Sequence, residues 1–336
     1  MNIAIVGATG NVGRKIIEIL EKKQINIENL FLLASKNSEG KKINYNGKEH
    51  VVIDLEKFDF SSVKIAFFAA GSGVAEKWAH VAAEKTIVID NSKYFRKDPD
   101  IPLIVPEVNS KKLSDVKNKN IIANANCSVI PVVVALKPLH DLYNINRIVA
   151  STYQSVSGAG KSAMDELLSQ TEDYFQNKEI ESKNFTKQIA FNAIPHIDSF
   201  LENGYTKEEQ KTTDEIKKIL DKKIKVTSTC VRIPVLVSHC ISANVEFNKK
   251  CDLDEIRKVL STSPGCKVID EHQDGGYITP VEAEDKFETF ISRIRLDESR
   301  ENTINLWIVS DNLVKGAALN AVQIAESLIT NDFYGR

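Results

Sequence analysis

The sequence predicts an α/β protein in two parts: a parallel sheet covered by helices, then a larger mixed α+β region. Three observations carry this expectation. The 336 residues exceed the usual size of one domain. Short apolar runs alternate with helical patterns up to about residue 128. Beyond that point the apolar segments are longer and rich in β-formers.

The first run, "NIAIVG", ends in glycine, and "ATGNVGRKIIEILEKK" follows with Val12, Ile16, Ile17 and Leu20 at helical spacing. That is strand, glycine turn, helix. "NLFLLAS" from Asn29 reads as a second strand. "KIAFFAAG" from Lys64 is a third, followed by the helix "VAEKWAHVAAEK". "TIVIDNS" from Thr86, "LIVPEVN" from Leu103 and "NIIANANC" from Asn120 complete the series. Strands of this continuous apolar kind belong to a parallel sheet buried on both faces.

In the second part "RIVASTYQSVSG", "KVTSTCVRIPVLVSHCISANVEF", "FETFISRIRLD" and "TINLWIVSD" read as strands of an antiparallel sheet. "AMDELLSQTEDYF" and "KEEQKTTDEIKKIL" read as amphipathic helices between them. The final "NLVKGAALNAVQIAESLI" has apolar residues at helical spacing and is expected to pack back onto the first part.

Composition excludes several functions. Charged residues are 27% and the formal charge is −2, so no basic field attracts nucleic acid. The opening "MNIAIVG" lacks a basic leader, which predicts no signal peptide. No apolar run reaches the roughly 18 residues of a membrane span. Five cysteines without a CxxC pair or metal-like spacing predict free thiols, no metal and a reducing cytoplasm.

Gly7, Gly10 and Gly13 form GxxGxxG between the first strand and the first helix. Bare backbone lets a pyrophosphate approach there, and the helix N-terminus stabilises it, which points to a Rossmann-type dinucleotide site. A purely structural tight turn is the competing reading. NAD sites usually end the second strand with a carboxylate. Here Ser35, Lys36, Asn37 and Ser38 stand in that place, which favours the 2′-phosphate of NADP.

Cys127 lies between Asn126 and Ser128, where "VIPVVVALKPL" starts a helix with Pro131 in its first turn. Either neighbour can cap the helix. A thiol at that end feels the positive pole of the dipole, which lowers its pKa. The alternative is buried packing. A thiolate beside NADP would add to an aldehyde, giving a hemithioacetal and then a thioester that a second nucleophile opens. Such chemistry needs an acid/base group, and His239 in "CVRIPVLVSHC" is the candidate. Arg232 lies seven residues earlier, so a regular strand would turn the two to opposite faces, and a bend or bulge is required. Tyr174 and Lys178 form YxxxK with Ser162 upstream, the pair of short-chain dehydrogenases. Tyr174 fits better on the apolar side of its helix, and the β-rich second half does not suit that fold.

With these residues in view the chain resembles the bacterial aspartate-β-semialdehyde dehydrogenases over nearly its whole length. "GATGNVG", "NANCSVIP", "YQSVSGAGK", "AFNAIPHID", "GYTKEEQKTTDEIKKIL", "VRIPVLVSHC", "FISRIRLD" and "DNLVKGAALNAVQ" carry the resemblance in order. It implies residues 1–127 as an NADP-binding domain, 128–311 as a catalytic and dimerisation domain, and 312–336 as a C-terminal helix on the first. It implies Cys127 as nucleophile, His239 as acid/base and Gln154 placing the acyl group. Arg232 would grip the substrate α-carboxylate and Glu208 its ammonium. Lys211, Arg96 and Asn126 would hold phosphate. Gly7, Thr9, Gly10, Asn11, Val12, Gly13, Ser35, Lys36, Asn37 and Ser38 would bind the cofactor, with Ser157, Gly158 and Asn312 at the nicotinamide end. Many relatives carry arginine at Asn37, often proline at Ile278, and usually glycine at Ser292.

The implied reaction converts L-aspartyl-4-phosphate and NADPH into L-aspartate 4-semialdehyde and phosphate, feeding lysine, threonine and methionine synthesis, in a homodimer or sometimes a tetramer. An N-acetylglutamyl-phosphate reductase is the nearest rival, but that family places Pro-Gly before its cysteine, where this chain has Ala125 and Asn126. A non-enzymatic NADP sensor is the alternative from another class, and it would not need Cys127.

Overall fold

The computed structural model describes residues 1–330, the Asn118 side chain excepted. Two compact units divide the chain: Met1–Ala125 with the return from Ala317, and Asn126–Gly316. The break precedes Asn126, whereas the sequence reading put it after Cys127, so Asn126 and Cys127 open the second unit. The return begins after Gly316 instead of after Asp311. Residues 331–336 of the expected C-terminal segment lie outside the described residues.

The first unit runs β1 (Asn2–Val6), α1 (Asn11–Lys22), β2 (Asn29–Ala34), β3 (Lys42–Tyr45), β4 (Lys48–Asp54), β5 (Ile65–Phe68), α2 (Ser72–Ala83), β6 (Ile87–Asp90), β7 (Leu103–Ile104), α3 (Pro106–Asn109) and β8 (Ile121–Asn124). The strands form one sheet in the order β3-β4-β2-β1-β5-β6-β8-β7. All neighbours are parallel except the β3–β4 hairpin at one edge. β5, β6 and β8 are buried throughout, as a sheet covered on both faces requires. The β3–β4 hairpin escaped the sequence reading. Its signal was there, since Asn46 and Gly47 both take positive φ between two short strands, as a tight hairpin turn demands.

The second unit contains α4 (Val129–Tyr143), β9 (Ile145–Gln154), α5 (Lys161–Phe175), α6 (Lys207–Ile219), β10 (Lys225–Arg232), β11 (His239–Phe247), α7 (Leu253–Thr262), β12 (Cys266–Val268), α8 (Pro280–Ala283), β13 (Thr289–Leu296) and β14 (Thr303–Ser310). Its sheet is ordered β10-β9-β11-β14-β13-β12. It is mixed, not purely antiparallel: β10 runs parallel to β9, and β12 parallel to β13. The segment expected as one long strand is two strands. Ile233–Ser238 leaves the ladder at Pro234, which has no N–H to donate, and Ser238 takes φ 74°. The chain then re-enters on the far side of β9. Tyr174 continues the stripe of Ala163, Leu167 and Gln170 on α5, but at the end of the helix it is not buried. It is 53% exposed and packs with Phe175 and Phe191, which are also exposed.

A last helix, α9 (Leu319–Thr330), belongs to the first unit and packs on α1 and α3. Asn320 ties it down, donating from Nδ2 to Asn124 Oδ1 at 2.6 Å and to the Ile104 carbonyl at 3.0 Å. Among the described residues no helix is long and apolar enough to cross a membrane.

The turn between β1 and α1 depends on two glycines. Gly7 has φ +87°, a conformation that side chains avoid. A methyl group on Gly13 would lie 2.2 Å from the Gly7 carbonyl oxygen, a backbone atom with nowhere to go. Gly13→Ala should therefore destabilise the protein by about 1–3 kcal/mol, although alanine in a helix ordinarily stabilises relative to glycine. Gly73→Ala in α2 meets nothing within 4 Å and should leave stability equal or raised. Urea denaturation of the two variants measures the contrast.

Candidate active site

In the first unit a cavity of about 710 Å³ opens over the C-terminal ends of β1, β2, β4 and β5. Gly7, Thr9, Gly10, Ser35 and Lys36 line it, with Trp78 of α2. Asn11, Val12, Gly13, Asn37 and Ser38 are not among its lining residues. Gly13 acts behind the wall by permitting the close turn. Lys36–Ser38 form a short turn, and the Lys41 ammonium donates to Ser38 Oγ at 3.4 Å. The sheet contributes two carboxylates that the second strand does not: Asp54 and Glu56, at and just after the end of β4, are on the same wall. Asp54 accepts the Glu56 N–H at 3.3 Å, and Lys77 pairs with Glu56 at 2.9 Å. The bare backbone of Gly7 and Gly10 and the basic turn fit a dinucleotide. Arg96 also lies in this unit and donates to the Asn91 carbonyl at 3.0 Å.

The second unit brings most of the remaining candidates together. Cys127 immediately precedes Ser128, the residue that leads into α4. Ser128 makes no side-chain cap. Asn126 does that work instead, its Oδ1 accepting the Ser128 N–H at 2.9 Å and the Ser128 hydroxyl at 3.0 Å. The same oxygen lies 3.5 Å from the Cys127 sulfur. Gly316 packs against this turn, and a methyl group there would meet Cys127 Cβ at 3.0 Å.

Register delivers the partners. Arg232 of β10 pairs with Gln154 of β9, and Cys240 of β11 pairs with Tyr153, so Arg232, Gln154 and His239 share one row at the end of the sheet. The departure at Pro234 is what reconciles the odd spacing of Arg232 and His239. His239 Nε2 stands 3.3 Å from Cys127 Sγ. Gly158 crosses above the row: a methyl group on it would lie 3.2 Å from Arg232 Nη1 and 3.4 Å from His239 Nε2.

Glu208 and Lys211 on α6 complete the group. Glu208 is only 7% exposed. Its Oε1 accepts from Asn126 Nδ2 at 2.9 Å and from Gln154 Nε2 at 3.3 Å, and its Oε2 pairs with Lys211 at 2.7 Å. Burial pushes the Glu208 pKa up, but the Lys211 charge and these hydrogen bonds outweigh it and hold the carboxyl below its usual range. Lys211 is raised: burial lowers it, and Glu208 and Asp198 reverse the sign. Burial also lowers Arg232, whose guanidinium remains charged. The His239 pKa is pushed down to about 3, first by burial and then by Arg232, against an opposing pull from the Ser238 backbone and Glu208. At neutral pH its ring is uncharged.

Three residues escaped the sequence reading. Glu215 accepts the Asn126 N–H at 2.7 Å. Asp198 holds Lys211 at 3.0 Å. Ser155 contacts both Arg232 and His239, its carbonyl accepting from Arg232 Nη1 at 2.7 Å and its N–H donating to His239 Nδ1 at 3.1 Å. Glu215 had a signal, since it lies seven residues after Glu208 on the same face of α6. The other two had none in local sequence. Ser157 and Asn312 hydrogen-bond each other and sit behind Ser155.

A family model described as semialdehyde dehydrogenase, NAD binding domain, matches residues 2–116, and one described as semialdehyde dehydrogenase, dimerisation domain, matches residues 136–315. The chain is 49% identical over 331 residues to the aspartate-semialdehyde dehydrogenase of Aquifex aeolicus, covering 97% of each protein. It is 49% identical over 329 residues to that of Rickettsia bellii, covering 98% of this chain and 97% of the relative. A crystal structure of aspartate semialdehyde dehydrogenase II complexed with ASA from Vibrio cholerae superposes with a TM-score of 0.97 at 46% identity, covering 99% of each chain. Fold and relatives agree, and the chain belongs to the aspartate-semialdehyde dehydrogenase family.

Proposed function

We propose that this enzyme converts L-aspartyl-4-phosphate to L-aspartate 4-semialdehyde and phosphate with NADPH, through a thioester on Cys127. The observation that carries the reading is the 3.3 Å approach of Cys127 Sγ to His239 Nε2, in a row that also holds Arg232 and Gln154. The Cys127 sulfur attacks the acyl carbon of the substrate. A C–S bond forms, the C–O bond to phosphate breaks, and phosphate leaves with the electron pair and the thiol proton. Gln154 places the acyl group, and His239 holds or moves the proton at Nε2. When bound, NADPH supplies the two electrons and the hydrogen that take the thioester to the aldehyde, releasing the sulfur. Arg232 takes the substrate carboxylate in its planar fork, and Glu208 draws the ammonium. Lys211, Arg96 and Asn126 take the phosphate.

NADP is preferred over NAD on this reading because Ser35, Lys36 and Ser38 follow β2 without a carboxylate, while Glu56, just after the end of β4, pairs with Lys77. Ser157, Gly158 and Asn312 face the nicotinamide end. A homodimer is favoured by the match of residues 136–315 to a dimerisation domain. The free thiols, buried Cys230 and Cys240 among them, suit a reducing cytoplasm.

Steady-state assays of NADPH formation from aspartate semialdehyde and phosphate test this reading beside N-acetylglutamate semialdehyde, and preference for the second substrate overturns it. Cys127→Ser should retain cofactor binding and lose turnover, whereas Tyr174→Phe should be nearly silent. Arg232→Lys should raise KM for the semialdehyde by tenfold or more, roughly, and leave KM for phosphate little changed, because an ammonium cannot reproduce the two-point grip.

The cofactor assignment has its own variant. Asn37→Arg should sharpen the preference for NADP over NAD in kcat/KM, since a guanidinium can fork onto the 2′-phosphate. Unchanged preference would place that phosphate elsewhere.

The neutral His239 couples folding to pH. An imidazole titrates near ~6.5 in the unfolded chain, but about 3 in the folded one. The unfolded state therefore takes the proton first. Stability from this site is fully present above ~6.5 and falls as the pH drops towards the folded value. His239→Asn should flatten the fall of the urea midpoint between about pH 6.5 and 4.5.

A further inference from the structure

A neutral imidazole carries its proton on one nitrogen, and which nitrogen decides whether the other can accept. Ser155 touches His239 Nδ1 twice, with its backbone N–H at 3.1 Å and its hydroxyl at 3.0 Å. A backbone N–H can only donate. A proton on Nδ1 would face that N–H, so Nδ1 must present its lone pair. We propose that Ser155 is a positioning residue that keeps the His239 proton on Nε2, 3.3 Å from Cys127 Sγ, so that the ring donates to the sulfur and does not take the thiol proton. This inference rests on reading Cys127 and His239 as the reacting pair.

The residues behind Ser155 are wired in the matching direction. Asn312 Oδ1 accepts the Ser238 N–H at 2.8 Å, which fixes the amide so that its Nδ2 donates to Ser157 Oγ at 2.9 Å. Ser157 can then donate to Ser155 Oγ at 3.1 Å, and Ser155 to His239 Nδ1. All four residues are buried. The other choice, Ser155 Oγ donating to Asn312 Oδ1 at 3.1 Å, leaves the backbone N–H on Nδ1 and gives the same tautomer. With Nε2 protonated, a Cys127 thiol proton points instead to Asn126 Oδ1 at 3.5 Å. The carbonyl of Ser155 also anchors Arg232, so one residue fixes the ring, its proton and the neighbouring cation.

Nitrogen NMR of the full chain labelled in histidine tests this without substrate. The His239 signals are those that vanish in His239→Asn. A proton-bearing Nε2 with a bare Nδ1 is expected at neutral pH, and a proton on Nδ1 overturns the proposal. Ser155→Ala keeps the backbone N–H and removes the hydroxyl. It should shift the Nδ1 signal and raise the pH midpoint of Cys127 alkylation. It should also lower kcat roughly tenfold, with KM within about twofold, the effect of one buried hydrogen bond. Ser155→Thr should restore all three. An alanine variant with unaltered spectrum and alkylation profile overturns the role of the Ser155 hydroxyl. Should that variant fail to fold, the spectrum of the unsubstituted protein decides alone. Lack of turnover with aspartate semialdehyde would overturn the reading of function, while the tautomer remains separately readable.

Discussion

A carboxylate withdrawn from water keeps its charge only while cations and N–H donors face it at close range. Glu208 meets that condition with partners from three elements: Lys211 from its own helix, Gln154 from β9, and Asn126 from the turn before α4. The chain separations are large, 82 residues to Asn126 and 54 to Gln154. Each partner is thereby fixed in turn. Asn126 spends its amide on Glu208 and its oxygen on Ser128, so the turn carrying Cys127 has one geometry. Glu215, two turns along the same face of the helix, takes the Asn126 backbone N–H. Removing one member would leave a buried charge without compensation, which is far more destabilising than the pair is stabilising.

The sheet of the second unit imposes the complementary constraint. Side chains alternate along a strand, so a slip of one residue in β9 would turn Gln154 away and bring Ser155 into the row. The register that puts Gln154 between Arg232 and His239 leaves Ser155 at the point where β9 ends. Its backbone groups are therefore not used by a ladder. They bind Arg232 and His239 instead. A strand terminus thus serves as a donor and acceptor bracket for two buried side chains, one charged and one neutral. The Arg232 charge is part of why the ring stays neutral.

Local signals made much of this legible. The β1–α1 turn declares itself because phosphate-binding loops need bare backbone at fixed spacing, and the apolar runs of β5, β6 and β8 are buried on both faces. The β3–β4 hairpin hid behind alternating polar residues, although Asn46 and Gly47 marked its turn. "VRIPVLVSH" looks like continuous strand because its residues are β-formers, and only Pro234 and the odd spacing of Arg232 and His239 hinted that the ladder breaks. Cys127 was readable from its place at a helix start. Roles for Gln154, Arg232, Glu208 and Lys211 came from resemblance, since nothing in their immediate neighbours sets them apart. Ser155 and Asp198 act through contacts 84 and 13 residues away, which no local pattern encodes.

Lys211 is held by two carboxylates of unequal depth. Its bond to Glu208 is 2.7 Å, with 10% of the Glu208 side chain exposed; that to Asp198 is 3.0 Å, with 24% of the Asp198 side chain exposed. The deeper partner is anchored by two amides as well and has little freedom to withdraw. The shallower one lies on the loop before α6, where Asp198 itself takes φ 67°. A strained loop residue gives up a contact more readily than a buried helical one. On the proposed reading of Lys211 as a phosphate contact, an arriving anion therefore competes with Asp198, not with Glu208. Glu208 keeps the ammonium aimed while the exchange takes place, and the cation that meets the anion is already ordered, so little side-chain entropy is lost on binding.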